Sequence, residues 1–222
     1  MSKILVSLMT IALVGVLVGG GIYAAFSDSE MTADNTLTAG TLDIKVGTDD
    51  PTTESIAVSN VKPTDSGNAA TWPVNNIGSI TGNLTIALGA ITNFETTLTE
   101  PESSAGDATS GATQGELGTY LQVAVWLDVD ESGTWNTGDI ALNSDASTTT
   151  STGVEPLPYD ALDDYDSDSY ADVIVMTADD SGAGGTDEFQ FMVDYEFPND
   201  ANDDRAQNDS VSFNVTFTLD QA

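Results

Sequence analysis

A chain of 222 residues in which 36 Asp and Glu face 4 Lys and Arg, with no His, carries a formal net charge of -32 at pH 7, and such a surface repels nucleic acid and anionic membranes alike. The absence of Cys rules out disulfides and a catalytic thiolate. Hydrophobic residues make up 40 % of the chain, enough for the core of one folded domain, and a carboxylate-rich, lysine-poor exterior suits high salt, where screening removes self-repulsion.

Residues 4–24 follow Lys3 and contain no charge. Their length fits a signal peptide or an uncleaved membrane anchor. The run Gly19-Gly20-Gly21 interrupts helical continuity and the small residues Ala24 and Ala25 come soon after. This pattern predicts a signal peptide over residues 1–24, cut between Ala24 and Ala25 by a signal peptidase during export. The mature form is then secreted and not embedded in a membrane.

Beyond it the chain reads as strands. Leu42, Ile44 and Val46 alternate over Thr41–Val46, and Ser55–Val61 is a second short apolar run. Lys62–Gly67 has the Pro and Gly of a turn, Thr71–Val74 resumes a strand, and Asn75–Gly78 breaks it. Leu84, Ile86 and Leu88 alternate within a longer strand over Ile80–Phe94, whereas residues 96–118 have no apolar period and read as an exposed, mobile insertion. From Leu121, Val123, Val125 and Leu127 point one way and Ala124 and Trp126 the other, the pattern of a central strand covered on both faces. Residues 143–168 are poor in apolar content, with room for one short helix near Leu157 and Leu162. Phe189, Phe191, Val193, Tyr195 and Phe197 form one unbroken apolar face, and Val211, Phe213, Val215, Phe217 and Leu219 form another. Burying those ten side chains would contribute roughly 15 to 30 kcal/mol before entropy is counted. Many short strands with turn-rich connections predict an all-β, two-sheet β-sandwich over residues 41–222.

One loop has the spacing of a calcium site. Asp128, Asp130, Ser132, Thr134, Asn136 and Asp139 stand at positions 1, 3, 5, 7, 9 and 12 of a loop with Gly133 at position 6, the order in which hard oxygen ligands surround Ca²⁺. Asp at the last position has a shorter reach than the usual Glu, and an Asp/Gly-rich turn between strands has the same composition. The cluster Asp160, Asp163, Asp164, Asp166 and Asp168 has no such glycine and reads as a solvated face. Without His there is no His-Glu-x-x-His zinc motif and no Ser-His-Asp triad, so the expectation is a protein that is not an enzyme, with calcium as its one candidate cofactor. Asn83, Asn208 and Asn214 open Asn-x-Ser/Thr triplets that can accept a glycan in a secreted protein.

The motif Gly-Gly-Gly-Ile-Tyr-Ala-Ala-Phe-Ser-Asp-Ser-Glu at 19–30, followed by Asn-Thr-Leu-Thr-Ala-Gly-Thr-Leu-Asp-Ile at 35–44, resembles the TasA/camelysin family of exported proteins, which have a dedicated signal-peptidase site. Val61–Gly67, Asn76–Ser79, Trp126–Asp130 and Gln207–Phe213 extend the resemblance nearly end to end. It implies a jelly-roll-like sandwich that is secreted and polymerised into biofilm fibres or bundling pili. The implied joint is donor-strand exchange, in which an N-terminal segment within residues 25–40, including Ala25, Phe26, Ser27, Asp28 and Met31, completes the sheet of a neighbouring copy. Phe26 and Met31 have opposite parity, so a regular strand turns only one of them into a groove. Camelysins have also been classed as metalloproteases, for which this chain has no histidine. A secreted calcium-binding adhesin or surface-layer component is the alternative reading.

Overall fold

A computed structural model describes residues 3, 39–48, 56, 61–179, 186–199 and 203–222. Residues 40–222 form one compact unit and residues 1–39 another. Of the second only Lys3 and Ala39 are described, so the cleavage site Ala24–Ala25 and the segment Ala25, Phe26, Ser27, Asp28 and Met31 lie outside the described residues.

The compact unit is all-β. Its strands are β1 (Ile44–Val46), β2 (Ser66–Asn76), β3 (Gly82–Leu88), β4 (Thr92–Phe94), β5 (Gln122–Asp128) and β6 (Ile140–Leu142), followed by β7 (Thr148–Thr150), β8 (Asp160–Ala161), β9 (Ser169–Met176), β10 (Glu188–Glu196), β11 (Ser210–Ser212) and β12 (Val215–Gln221). The larger sheet has seven strands in the order β1-β2-β10-β5-β6-β7, with β8 paired to one end of β5. Opposite it lie a three-stranded sheet, β12-β3-β9, and the two-stranded ladder β11-β4. Gly89 N–H donates to the Asn214 carbonyl at 2.7 Å, bridging the gap between these two ladders. The chain passes repeatedly from one layer to the other, as in a jelly-roll-like sandwich.

Alternation explains the layers. On β3 the residues Leu84, Ile86 and Leu88 are buried while Asn83, Thr85 and Ala87 are half-buried on the other face. On β10, Phe191 stacks on Trp72 (5.6 Å, 22°) and meets the edge of Phe217 from the opposite layer (5.2 Å, 90°), so one ring ties both sheets. Every residue of β5 after Gln122 is buried. Its outer face is closed by Trp126, whose Nε1 donates to Asp194 at 2.8 Å and whose ring meets Trp135 edge-on at 5.6 Å.

Several expectations change. Strand β2 begins at Ser66, not Thr71, and runs through Asn76, because β10 pairs along its whole length; a register shift at Val193/Asp194 leaves Ala69 as a bulge. The strand expected over Ile80–Phe94 is two, split at residues 89–91. Residues 96–118 are no exposed insertion: they contain short helices at Glu100–Ser104 and Leu117–Tyr120, with Glu102, Asp107 and Leu117 buried. An apolar period is missing there because two of the four residues the segment buries, Glu102 and Asp107, are carboxylates. The helix expected near Leu157 and Leu162 is a single 3-10 turn, Leu162–Tyr165. Finally, Val211, Phe213, Val215, Phe217 and Leu219 face inward but are only half-buried, because the smaller layer ends at β12.

Replacing Phe191 with Ala removes the ring shared by both sheets. Urea unfolding of Phe191→Ala is expected to show a loss of about 3–5 kcal/mol; a loss below about 1 kcal/mol, the scale of an average substitution, would contradict this packing.

Candidate functional site

Two places on the compact unit have the makings of a site. The first is an apolar groove of about 420 Å³ between the layers. Its floor is the larger sheet, through Val46, Ala69, Trp72, Val193 and Val123, and one wall is the inner face of β11 and β12, through Val211, Phe213, Val215 and Phe217. Strands β11 and β12 pair on one side only, with β4 and β3. Their other side presents main-chain N–H and C=O groups with no strand partner among the described residues, and such an edge is a template for a further strand.

The second is the loop joining β5 to β6, which leaves the outer face of the larger sheet at Asp128 and returns at Asp139, both buried. Carboxylate oxygens of Asp128, Asp130 and Asp139 lie within 4.8 Å of one another. Asp128 accepts Ser132 N–H at 3.1 Å and Gly133 N–H at 2.6 Å, while Asp139 accepts Val129 N–H at 3.0 Å and Asn136 N–H at 2.7 Å. Asn136 Nδ2 donates to both oxygens of Asp130 at 3.2 Å, to Ser132 Oγ at 2.8 Å and to the Thr134 carbonyl at 3.1 Å. All six residues singled out from the spacing are thus drawn into one loop, Thr134 through its main chain and through Oγ1, 3.2 Å from Ser132 Oγ. Gly133 supplies the turn at φ 73°, with open space where a Cβ would stand. Burial pushes the Asp128 and Asp139 carboxyls up from the ordinary carboxylate range, whereas hydrogen bonding from Ser132 and then Asn136 holds Asp130 below it. Three carboxylates with only oxygen neighbours can hold a metal ion, and that donor set suits Ca²⁺. Trp135 sits within the loop against Trp126, with its Nε1 donating to the Glu155 carbonyl at 3.0 Å.

The remaining sequence candidates are scattered. Asn83 is half-buried on β3, Asn214 is exposed between β11 and β12, and Asn208 is exposed at φ 66° with its Nδ2 donating to Thr97 Oγ1 at 3.3 Å. The acids at 160–168 are not merely a solvated face. Asp163 accepts from Asn93 Nδ2 and Thr119 Oγ1, both at 2.8 Å, and Asp166 accepts Ile91 N–H at 2.7 Å; together they pin the break between β3 and β4.

A third acidic group escaped the sequence reading. Glu95, Glu102, Asp107, Glu116 and Asp209 converge under the segment 96–118. Burial, then the charge of Asp209 and of the other three, pushes the Glu95 carboxyl up to about 7. Four of the five lie within or beside the segment without an apolar period, and the fifth is far along the chain, so spacing carried no signal. The capping-box pattern Thr99-x-x-Glu102 is the one local clue.

Calcium added to chelated protein is expected to raise the melting temperature and shift tryptophan emission, because Trp135 lies in the β5–β6 loop. Asp130→Asn is expected to weaken that fluorescence-detected binding by about tenfold or more. Emission identical with and without Ca²⁺ would remove the metal reading of the loop.

A family model described as camelysin metallo-endopeptidase matches residues 1–222, the whole chain. No curated protein matches it at a significant level. The catalytic metal that this description implies, usually zinc, is held by His with Asp, Glu or Cys. This chain has neither His nor Cys, and its acidic groups offer hard oxygens alone, so its residues do not fit a catalytic zinc. Matched over its full length, the chain belongs to the camelysin metallo-endopeptidase family.

Proposed function

We propose that the protein is the structural, non-catalytic subunit of a secreted extracellular filament. Export and cleavage between Ala24 and Ala25 release residues 25–37, which enter the groove of a neighbouring copy and pair with β11–β12. The observation that carries this reading is the apolar groove beside a strand edge that has no strand partner among the described residues. An added strand there satisfies a row of main-chain groups and covers the half-buried side of Phe213, Val215 and Phe217 in one step. Length agrees: residues 25–37 extend roughly 40 Å at about 3.3 Å per residue, similar to the run Ser210–Gln221. Phe26 or Met31, but not both, fills the groove in a regular strand. Membership in the camelysin family, with its resemblance to TasA-type fibre proteins, supports the same reading, as does the lack of histidine for a catalytic zinc.

Charge sets the conditions. Mature copies, one charge more negative than the -32 of the full chain because Lys3 is lost, repel one another until salt screens them, so polymerisation is favoured at high ionic strength. A calcium-binding surface adhesin is the second reading, favoured by the β5–β6 loop. It requires a monomer that keeps its cation.

Electron microscopy and sedimentation of purified protein separate these readings. Filaments are expected at high salt; deletion of residues 25–33, or Phe213→Asp in the groove wall, is expected to leave a folded monomer. A synthetic peptide of residues 25–37 is expected to cap the groove and stop growth. Persistent monomers at high concentration, salt and calcium would refute the filament, and filaments from the deletion variant would refute the donor-strand joint.

A further inference from the structure

We propose that Glu95, Glu102, Asp107, Glu116 and Asp209 form a second, buried site for a divalent cation of the Ca²⁺ class, distinct from the β5–β6 loop.

The argument starts from unpartnered oxygens. Glu95 is 6 % exposed and Glu102 0 %. Six carboxylate oxygens of the group are shut off from water with no hydrogen-bond partner: both of Glu95, Oε1 of Glu102, Oδ2 of Asp107, Oε2 of Glu116 and Oδ1 of Asp209. Buried carboxylates are ordinarily paired or bound to metal, because desolvation penalises an uncompensated charge. Among the described residues no Lys or Arg lies within 4.0 Å of any of these five, the one such pair being Lys62–Asp65. Arg205, the nearby cation, spends its Nε on the Ala105 carbonyl at 3.0 Å.

The geometry suits one ion. Oxygens of Glu95, Glu116 and Asp209 lie within 4.8 Å of one another, the span available to ligands that each sit 2.3–2.6 Å from a shared Ca²⁺. The opposite oxygen of four of the carboxylates is already held. Thr99 N–H donates to Glu102 Oε2, Thr109 N–H and Oγ1 donate to Asp107 Oδ1 at 2.8 and 2.7 Å, Thr109 Oγ1 reaches Glu116 Oε1 at 2.9 Å, and Glu116 N–H donates to Asp209 Oδ2 at 2.7 Å. Such anchoring turns the free oxygens inward, as the outer partners of a metal ligand do. In the β5–β6 loop, by contrast, both oxygens of Asp128 and of Asp139 accept main-chain N–H bonds.

Oxygen-only donors specify a hard cation. The four free oxygens of Glu95, Glu116 and Asp209, with Glu102 and Asp107 near enough for their charges to act on Glu95, suit Ca²⁺, which takes six to eight oxygens in flexible geometry, better than Mg²⁺, which retains several waters. The ion would staple the residue after β4, the segment 96–118 and the residue before β11, and would offset the mutual repulsion of the carboxylates that they bring together.

The test uses the full chain with Asp130→Asn, to weaken the loop, titrated with CaCl₂ by calorimetry at fixed high KCl. Bound Ca²⁺ and a melting temperature about 5–10 °C higher at free Ca²⁺ near 100 times Kd are expected. Adding Glu95→Gln is expected to lower the stoichiometry by one and to raise the melting temperature in chelator, since one buried like charge is gone. If Asp130→Asn binds no Ca²⁺, if Glu95→Gln leaves the stoichiometry unchanged, or if it lowers the melting temperature equally with and without Ca²⁺, the site is refuted. Should Glu95→Gln fail to fold, Glu116→Gln, at a half-buried position, gives the same readout.

Discussion

The inner face of a sheet must be covered, and here one layer is too narrow to cover the other. The path β1-β2-β10-β5-β6-β7 is faced by β12-β3-β9 and the short β11-β4 ladder. Where both layers meet, Leu84, Ile86, Phe189 and Phe191 are fully enclosed. Where the smaller layer ends, Val215, Phe217 and Trp72 are left half-buried around the groove. The same mismatch leaves one edge of β12 without a strand partner among the described residues, so apolar surface and open main-chain groups occur side by side. One extended segment answers both deficits, which is why the groove points to a strand rather than to a small ligand.

Carboxylates are the second constraint, and the protein places them in three ways. On the exterior they stay in water, where salt screens them. In the β5–β6 loop and in the turn after β8 they accept main-chain N–H groups or neutral side chains, and so fasten turns: Asp139 holds Val129 and Asn136, Asp166 holds Ile91. Beneath residues 96–118 they face one another, and no side-chain cation of the described chain lies close enough to pair with them. A chain with four Lys and Arg in total has little else to offer such a cluster than an ion from solution.

Strand faces were legible in the sequence because burial and period coincide there. Leu84, Ile86 and Leu88 on β3, Val123 through Leu127 on β5 and Phe189, Phe191 and Val193 on β10 lie as their alternation requires. The β5–β6 loop was legible for a similar reason, since ligand spacing in a short loop is local. Strand ends were not: Ser66, Gly67 and Asn68 carry turn composition, yet β10 draws them into the sheet by pairing. Nor was the fate of Glu102 and Asp107, because composition alone treats a carboxylate as solvent-facing.

What the amino-acid sequence determined by itself is therefore the two-residue alternation of each strand, the turn at Gly133 and a net charge of -32. Tertiary structure alone decided how the described strands divide between the layers, that Val211, Phe213, Val215 and Phe217 line an open groove instead of a closed core, and that Glu95 and Asp209 meet. The physical reason is that period and ligand spacing act over a few residues. Coverage of a sheet and the neighbours of a buried charge depend on segments a hundred residues apart.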